Sequence, residues 1–314
     1  MHPFVQSVKL YRSVMTPEKR ARSRKRKPQF VPYPLGHELS YARYITQMTK
    51  LFIEKISQTT NVYVGMKFKN DEDDFEELER LYNMTFEEFY AVYMWEYGQL
   101  AKEIMRRAEL VFGANSAFFQ KQIKIIIGVP GSIEAPWWEG LKKAWVQENY
   151  NLMKGLGREY VDKITKVLMQ GLTEGRSEAW IVDRIKNIAE GLTGYRARRI
   201  ARDQIGKLNS LITKEQSLSL GMTQFFWHVQ PDERVRGHPR GVYKNAVPSH
   251  YMMDNLLCSW TDNTVYSDDK GKTWKPKTAI MEMENPGLSI MCRCTSYPVY
   301  NYVYDIDKEL GDDV

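Results

Sequence analysis

Two cysteines one residue apart, Cys292-Arg293-Cys294, follow a Pro286-Gly287 step. Side chains two apart in an extended segment point the same way, so both thiols share a face. Paired thiolates on one face suit a soft or borderline ion such as zinc. Two donors do not close a site. His238 is the expected third ligand, and Asp232, Cys258 and His250 are further candidates. The one-residue spacing is shorter than is usual for zinc, and the bland alternative is a pair of small buried side chains at a closing strand. No cofactor is required on this reading, and zinc is the ion to test.

A charged ladder, Asp232-Glu233-Arg234-Val235-Arg236-Gly237-His238, lies upstream. Asp232, Arg234 and Arg236 alternate in sign, as in a structural ion-pair network, because arginine forks onto carboxylates. General acid–base chemistry would need a nucleophile or metal beside them, so no catalytic residue is assigned. A third feature is the basic run Lys19, Arg20, Arg22, Arg24, Lys25, Arg26 and Lys27. It suits non-specific contact with the phosphates of double-stranded DNA, with Tyr11 and Phe30 as flanking stackers or anchors. Finally, Ser267-Asp268-Asp269-Lys270-Gly271-Lys272-Thr273-Trp274 matches the Asp-box turn of sialidase-like propellers. It occurs once, so it predicts a stable hairpin turn with Asp269 bonding turn amides and Trp274 packed beneath, and no glycosidase.

The elements that must position these groups change character along the chain. Of 314 residues, 43% are hydrophobic and 27% charged, enough for a packed core and about two domains. The net charge of +6 is concentrated in the basic run. Three cysteines do not make a secreted disulfide framework. No apolar run approaches a membrane span, and no signal-peptide core opens the chain.

Residues 1–36, with Pro17, Pro28, Pro32 and Pro34, read as a basic arm, extended unless a partner orders it. Residues 37–140 read as a helical N-terminal region. A helix is predicted from Glu38 to about Ser57, with Val62 and Val64 in a short β-branched piece. Thr85 and Glu88 match a capping box, with Met84 and Phe89 as a staple, so a long helix is predicted from there to Gly113. Ile123 to Val129 fits a strand or a buried helix. Residues 141–300 form the next segment. A helix with a bend at Gly155 and Gly157 precedes a loop bracketed by Gly171 and Gly175. A Ser177-capped helix then runs to a loop at Gly191 to Gly194, and a further helix from Arg196 ends at Gly221. Strands follow, beginning at Gln224 to Val229, with a hairpin across 264–275. Residues 301–314 read as an acidic tail. The fold class is α+β, a predominantly helical N-terminal region followed by a small β-rich C-terminal unit.

The order of these motifs, from the helix ending at Gly221 through Trp227, Asp232 to Arg236, His238, Pro286-Gly287 and Cys292-Arg293-Cys294, resembles the phage Mu protein F-like family of minor head, or head morphogenesis, proteins. Glu148 to Met153 and Gly171 to Gly175 resemble that family's helical preamble, so the resemblance covers roughly Trp145 to Tyr297. Arg202-Asp203-Gln204 departs from the family's frequent Arg-Thr-Glu, and the histidine comes one residue early. The resemblance implies a low-copy virion component of the head interior, present in the host cytoplasm during assembly, and not an enzyme. It would act in head assembly and DNA packaging or ejection, with portal, inner capsid proteins and double-stranded DNA as partners and a homo-oligomer around the portal as one arrangement. The alternative is a metal-dependent nuclease or toxin-like transferase. With about twenty residues after Cys294, no appended toxin module is expected there.

Overall fold

The computed structural model describes residues 2–26, 29–67, 75–128 and 134–312. Among the described residues, seven α-helices and five strands follow in chain order: α1 Pro3–Ser13, α2 Pro17–Arg24, α3 Leu35–Lys67, α4 Phe75–Ile126, α5 Trp138–Thr173, α6 Glu178–Ser219, β1 Gln224–His228, β2 Leu257–Ser259, β3 Val265–Ser267, β4 Lys275–Pro276, β5 Thr295–Pro298 and α7 Asn301–Glu309. This is the α+β arrangement expected from the sequence. No helix among the described residues is long and apolar enough to cross a membrane.

The chain forms two units, one from Met1–His37, Glu109–Leu141 and Arg202–Val314, the other from Glu38–Ala108 and Lys142–Ala201. The second unit is helical. Tyr41, Ile45, Leu100, Ile104, Trp145, Leu156 and Tyr160 are buried in it. Tyr41 Oη donates to Asn149 Oδ1 at 2.9 Å, which satisfies a hydroxyl that burial would otherwise penalise. Ile164, Ile181 and Ile185 form a smaller cluster where α5 turns into α6. Ser177 caps α6 as expected, its Oγ accepting from Trp180 N.

Several expected boundaries are overridden in the helices. Val62 and Val64 lie inside α3, and α4 runs uninterrupted through both the Thr85 box and Gly113. α5 is continuous through Gly155, Gly157 and Gly171, and α6 through Gly191 and Gly194. A glycine costs a helix only about 1 kcal/mol. On either side of Gly113, α4 buries Ile104, Ala108 and Val111, then Asn115, Phe119 and Ile123, and that packing outweighs the penalty. Ile123, whose apolar surroundings fit strand and helix alike, belongs to the last turn of α4; Val129 lies outside the described residues.

The first unit carries the sheet, of order β4-β3-β2-β1-β5 and antiparallel throughout. In β1, Phe225 and Trp227 are buried while the alternate residues are half-buried, the period-2 pattern of a strand. In the same unit, α4 and α6 share a buried polar seam. Asn115 Nδ2 donates to Asn209 Oδ1 at 3.0 Å and Thr213 Oγ1 at 2.9 Å, and Gln216 Nε2 to Ser116 Oγ at 2.8 Å. Between β3 and β4 the Asp-box turn forms as expected. Asp269 accepts from Thr273 N at 2.9 Å, Thr273 Oγ1 at 2.6 Å and Ser267 Oγ at 2.7 Å. Hydrogen bonds from Thr273, then Ser267, hold its carboxyl well below the usual range. Trp274, expected beneath the turn, is instead partly exposed.

The N-terminal segment also departs from expectation. Pro3 and Pro17 occupy the first positions of α1 and α2, where the missing N–H costs nothing and the fixed φ favours a helix. The partner that orders this arm is the chain's own acidic end, which forms the amphipathic helix α7. Arg12 bonds Asp307 through Nε at 2.6 Å and Nη2 at 2.5 Å, with both side chains fully buried. Arg24 reaches Asp307 and Asp312 at 2.8 and 2.9 Å, and Arg20 grips Asp312 at 2.8 and 2.6 Å. Val5, Val8, Val303 and Ile306 join Phe119 and Ile123 in the underlying apolar cluster. Val31 N then donates to Ser296 O at 2.9 Å, tying the following extended stretch to the β5 edge.

Candidate functional site

Three loops converge beside β1. The first, after Val229, carries the Asp232–His238 ladder on a succession of tight turns. It is wound closely enough that Arg236 O accepts from both His250 N at 3.1 Å and Tyr251 N at 3.0 Å. Ser249 N donates to Ile280 O at 2.8 Å, and Ser249 forms an isolated parallel bridge with Met281. His250 is thereby fixed from both sides.

The cysteine loop is held from below by α6. Gly287 has φ +93°, and a Cβ there would lie 3.1 Å from Gly206 O; a Cβ on Gly206 would in turn lie 3.2 Å from Cys292 O. Pro286-Gly287 is thus a turn seated directly on a helix backbone, which only glycine permits. Met291, at φ +62°, donates its N–H to Asp203 Oδ1 at 3.1 Å. Asp203, one of the departures from the Arg-Thr-Glu pattern, therefore positions the cysteine loop.

At the convergence, His250 Nδ1 lies 3.4 Å from Cys292 Sγ and 3.5 Å from Cys294 Sγ. His250 Nε2 lies 2.7 Å from Glu282 Oε2, which also accepts from Ser289 Oγ at 2.6 Å; Glu282 Oε1 accepts from Glu284 N at 2.9 Å. All four residues are at most 6% exposed, walled by Trp227, Val229, Met253 and Met281. Arg293 points away, its guanidinium 5.6 Å above the Tyr33 ring, so the alternation expected of Cys-x-Cys holds.

The electrostatics follow from this enclosure. Burial alone would lower the His250 pKa, but hydrogen bonds with Cys292 and Glu282 outweigh it and raise it to about 9. Burial would raise Glu282, yet His250, Ser289 and the Glu284 amide bring it down to about 2. The two thiols diverge. Hydrogen bonding from Cys294, then His250, holds Cys292 well below an ordinary thiol, while Cys292 and burial push Cys294 well above one. Cys258 stands apart from the cluster, with burial raising its thiol to about 11.

Among the expected ligands, Cys292 and Cys294 are brought together and His238 is not. His238 packs edge-on against Tyr251 and accepts from Arg240 N; His250 takes the place expected for it. The turns of the loop turn His238 outward while the Arg236 carbonyl draws His250 inward. The expected ion-pair network also fails to form. Asp232 Oδ1 accepts from Arg234 N at 2.7 Å and Arg236 Nη2 donates to Ile290 O at 2.9 Å. Among the described residues, none of Asp232, Arg234 and Arg236 is in an ion pair. Glu282, which no spacing rule pointed to, is the carboxylate that matters here.

The basic run divides. Arg20 is committed to Asp312 and Arg24 to Asp307 and Asp312, Lys19, Arg22, Lys25 and Arg26 are exposed, and Lys27 lies outside the described residues. Arg26 also donates to Ile125 O at 3.3 Å. Tyr11 and Phe30 are anchors: Tyr11 Oη donates to Gly128 O at 3.3 Å, and Phe30 stacks on His228 at 4.3 Å.

A five-stranded antiparallel sheet following a long helix, with a Pro-Gly turn seated on that helix and a buried Cys-x-Cys, defines a compact α+β module in the C-terminal half. Residues 162–297, which span nearly all of it, match the family described as Phage Mu protein F like protein. An uncharacterized protein of Haemophilus influenzae is 24% identical over 285 residues, covering 89% of this chain and 56% of that protein. An uncharacterized protein of Methanocaldococcus jannaschii is 25% identical over 165 residues, covering 51% of this chain and 20% of that protein. The chain thus spans about half the first relative's length and a fifth of the second's. No solved structure matches.

Proposed function

We propose that this chain is a minor head protein, a low-copy structural component of a phage-type procapsid and virion. It acts in head assembly and in DNA packaging or ejection by touching portal, inner capsid proteins and DNA. The observation that carries the reading is the family match across 162–297. The four exposed basic side chains Lys19, Arg22, Lys25 and Arg26 support a sequence-independent DNA contact, while Arg20 and Arg24 are taken up by Asp307 and Asp312.

The test is to purify heads made with and without the chain. It is expected to co-sediment with portal-bearing heads, and its absence from them would refute the assignment. For the DNA contact, replacing Lys19, Arg22, Lys25 and Arg26 by alanine should flatten the slope of log affinity against log salt by about 3–4 on double-stranded DNA. An unchanged slope would place the contact elsewhere.

A further inference from the structure

We propose that His250 Nδ1, Cys292 Sγ and Cys294 Sγ form a zinc-binding site within the sheet module. These donors lie within 4.8 Å of one another. A tetrahedral zinc with Zn–S near 2.3 Å and Zn–N near 2.0–2.1 Å separates sulfur from nitrogen by about 3.6 Å. Here the separations are 3.4 and 3.5 Å, so an ion enters with movements of only a few tenths of an ångström.

The surroundings are built for a metal-bound imidazole. Glu282 engages Nε2, which leaves Nδ1 as the donor facing the thiols, and Glu282 is itself fixed by Ser289 and the Glu284 amide. A carboxylate behind a ligating histidine sets its tautomer and raises its basicity. Cys294 N donates to Cys292 Sγ at 3.3 Å, and the buried Trp227 indole N–H acts on the Cys294 sulfur from the strand that walls the thiols. Both N–H groups favour sulfur carrying charge. On binding, His250 Nδ1 and the thiols release the protons they carry to solvent, so that two thiolates and a neutral imidazole balance a divalent ion, and soft donors select zinc over magnesium or calcium.

Among the described residues no fourth His, Cys, Asp or Glu joins the triad, which leaves one coordination position for water or for a donor from another molecule. The ion would staple residues 250, 292 and 294, segments with little regular secondary structure between them, and so hold the long loops of the module closed.

The test uses the full chain purified under reducing conditions without chelator. Zinc content by mass spectrometry is expected near one ion per chain, and cobalt exchange should give a thiolate-to-cobalt charge-transfer band with tetrahedral ligand-field absorption. Cys292→Ser and Cys294→Ser should each abolish the band, Glu282→Gln should weaken affinity about 10–100-fold, and Cys258→Ser and His238→Ala should bind as the unaltered chain does. A folded, unaltered chain with under about a tenth of an ion after zinc titration and no cobalt band would overturn the proposal. So would loss of the band in Cys258→Ser equal to that in Cys292→Ser. The zinc content of the unaltered chain is decisive without any variant, so a substitution that fails to fold does not blunt the test. It also stands apart from the head-protein assignment, which sedimentation decides.

Discussion

Replacing Asp307 by alanine should undo the docking of α1 and α2 on α7. Asp307 is fully buried and accepts two bonds from the fully buried Arg12 and one from Arg24. Arg24 keeps Asp312 as a partner, whereas Arg12 keeps only Ser23 Oγ at 3.1 Å. The loss is therefore dominated by one guanidinium stranded away from water. Removing one member of such a pair costs about 3–5 kcal/mol, consistent with about 4 kcal/mol for unit charges near 4 Å at an effective dielectric of 20. Native-state hydrogen exchange should then show amide protection in α1 falling by roughly 10²–10³-fold, with α6 little affected. The double change Arg12→Met with Asp307→Leu removes both charges and should restore most of that protection, because apolar replacements of a buried pair are often neutral or better. A single substitution that costs under about 1 kcal/mol, or a double that costs as much as the single, would refute a stranded arginine as the cause.

Acid should loosen the same region. Hydrogen bonds from Arg20 and Arg24 lower the Asp312 pKa to about 2, below its unfolded value near 3.9. A depressed carboxylate contributes stability that is complete above the unfolded pKa and disappears as pH falls through the folded one. Docking should therefore persist above about pH 4 and weaken toward pH 2, and Asp312→Asn should show a flatter profile over that window by exchange or near-ultraviolet dichroism; identical profiles would discount this pair. Gly287→Ala meets both a positive φ and the Gly206 carbonyl. It should destabilise the sheet module by about 1–3 kcal/mol, read from denaturant midpoints, and a neutral result would mean the turn can back away from α6.

The sheet half was legible because its rules are local. Alternation in Gln224 to His228, the stop at Gly221 and the hydrogen bonds of the Asp-box turn depend on residues within a few positions of each other. The long helices were harder. The Thr85 box and Gly113, Gly191 and Gly194 carry genuine end signals, but each is worth only about 1 kcal/mol, and at Gly113 the burial of Val111, Asn115 and Phe119 outweighs it. The His250, Cys292 and Cys294 cluster was half legible. Cys292 and Cys294 are neighbours in sequence, whereas His238 and His250 are indistinguishable until the turns between them are known, and it is the Arg236 carbonyl that selects His250. The order of the basic arm was hidden for the same reason, since the carboxylates that fix it lie nearly the whole chain away.

That separation has a consequence in time. Arg12 and Asp307 are 295 positions apart, and synthesis at about 5–20 residues per second leaves an interval of roughly 15–60 s between them. Throughout it the arginines of α1 and α2 have no carboxylate from α7 to meet, and Val5 and Val8 lack Val303 and Ile306. The nascent chain thus presents an uncompensated basic, partly apolar segment until α7 emerges. The clasp closes only once α7 has been made, so during that interval polyanions meet the same guanidinium groups without competition from Asp307 and Asp312.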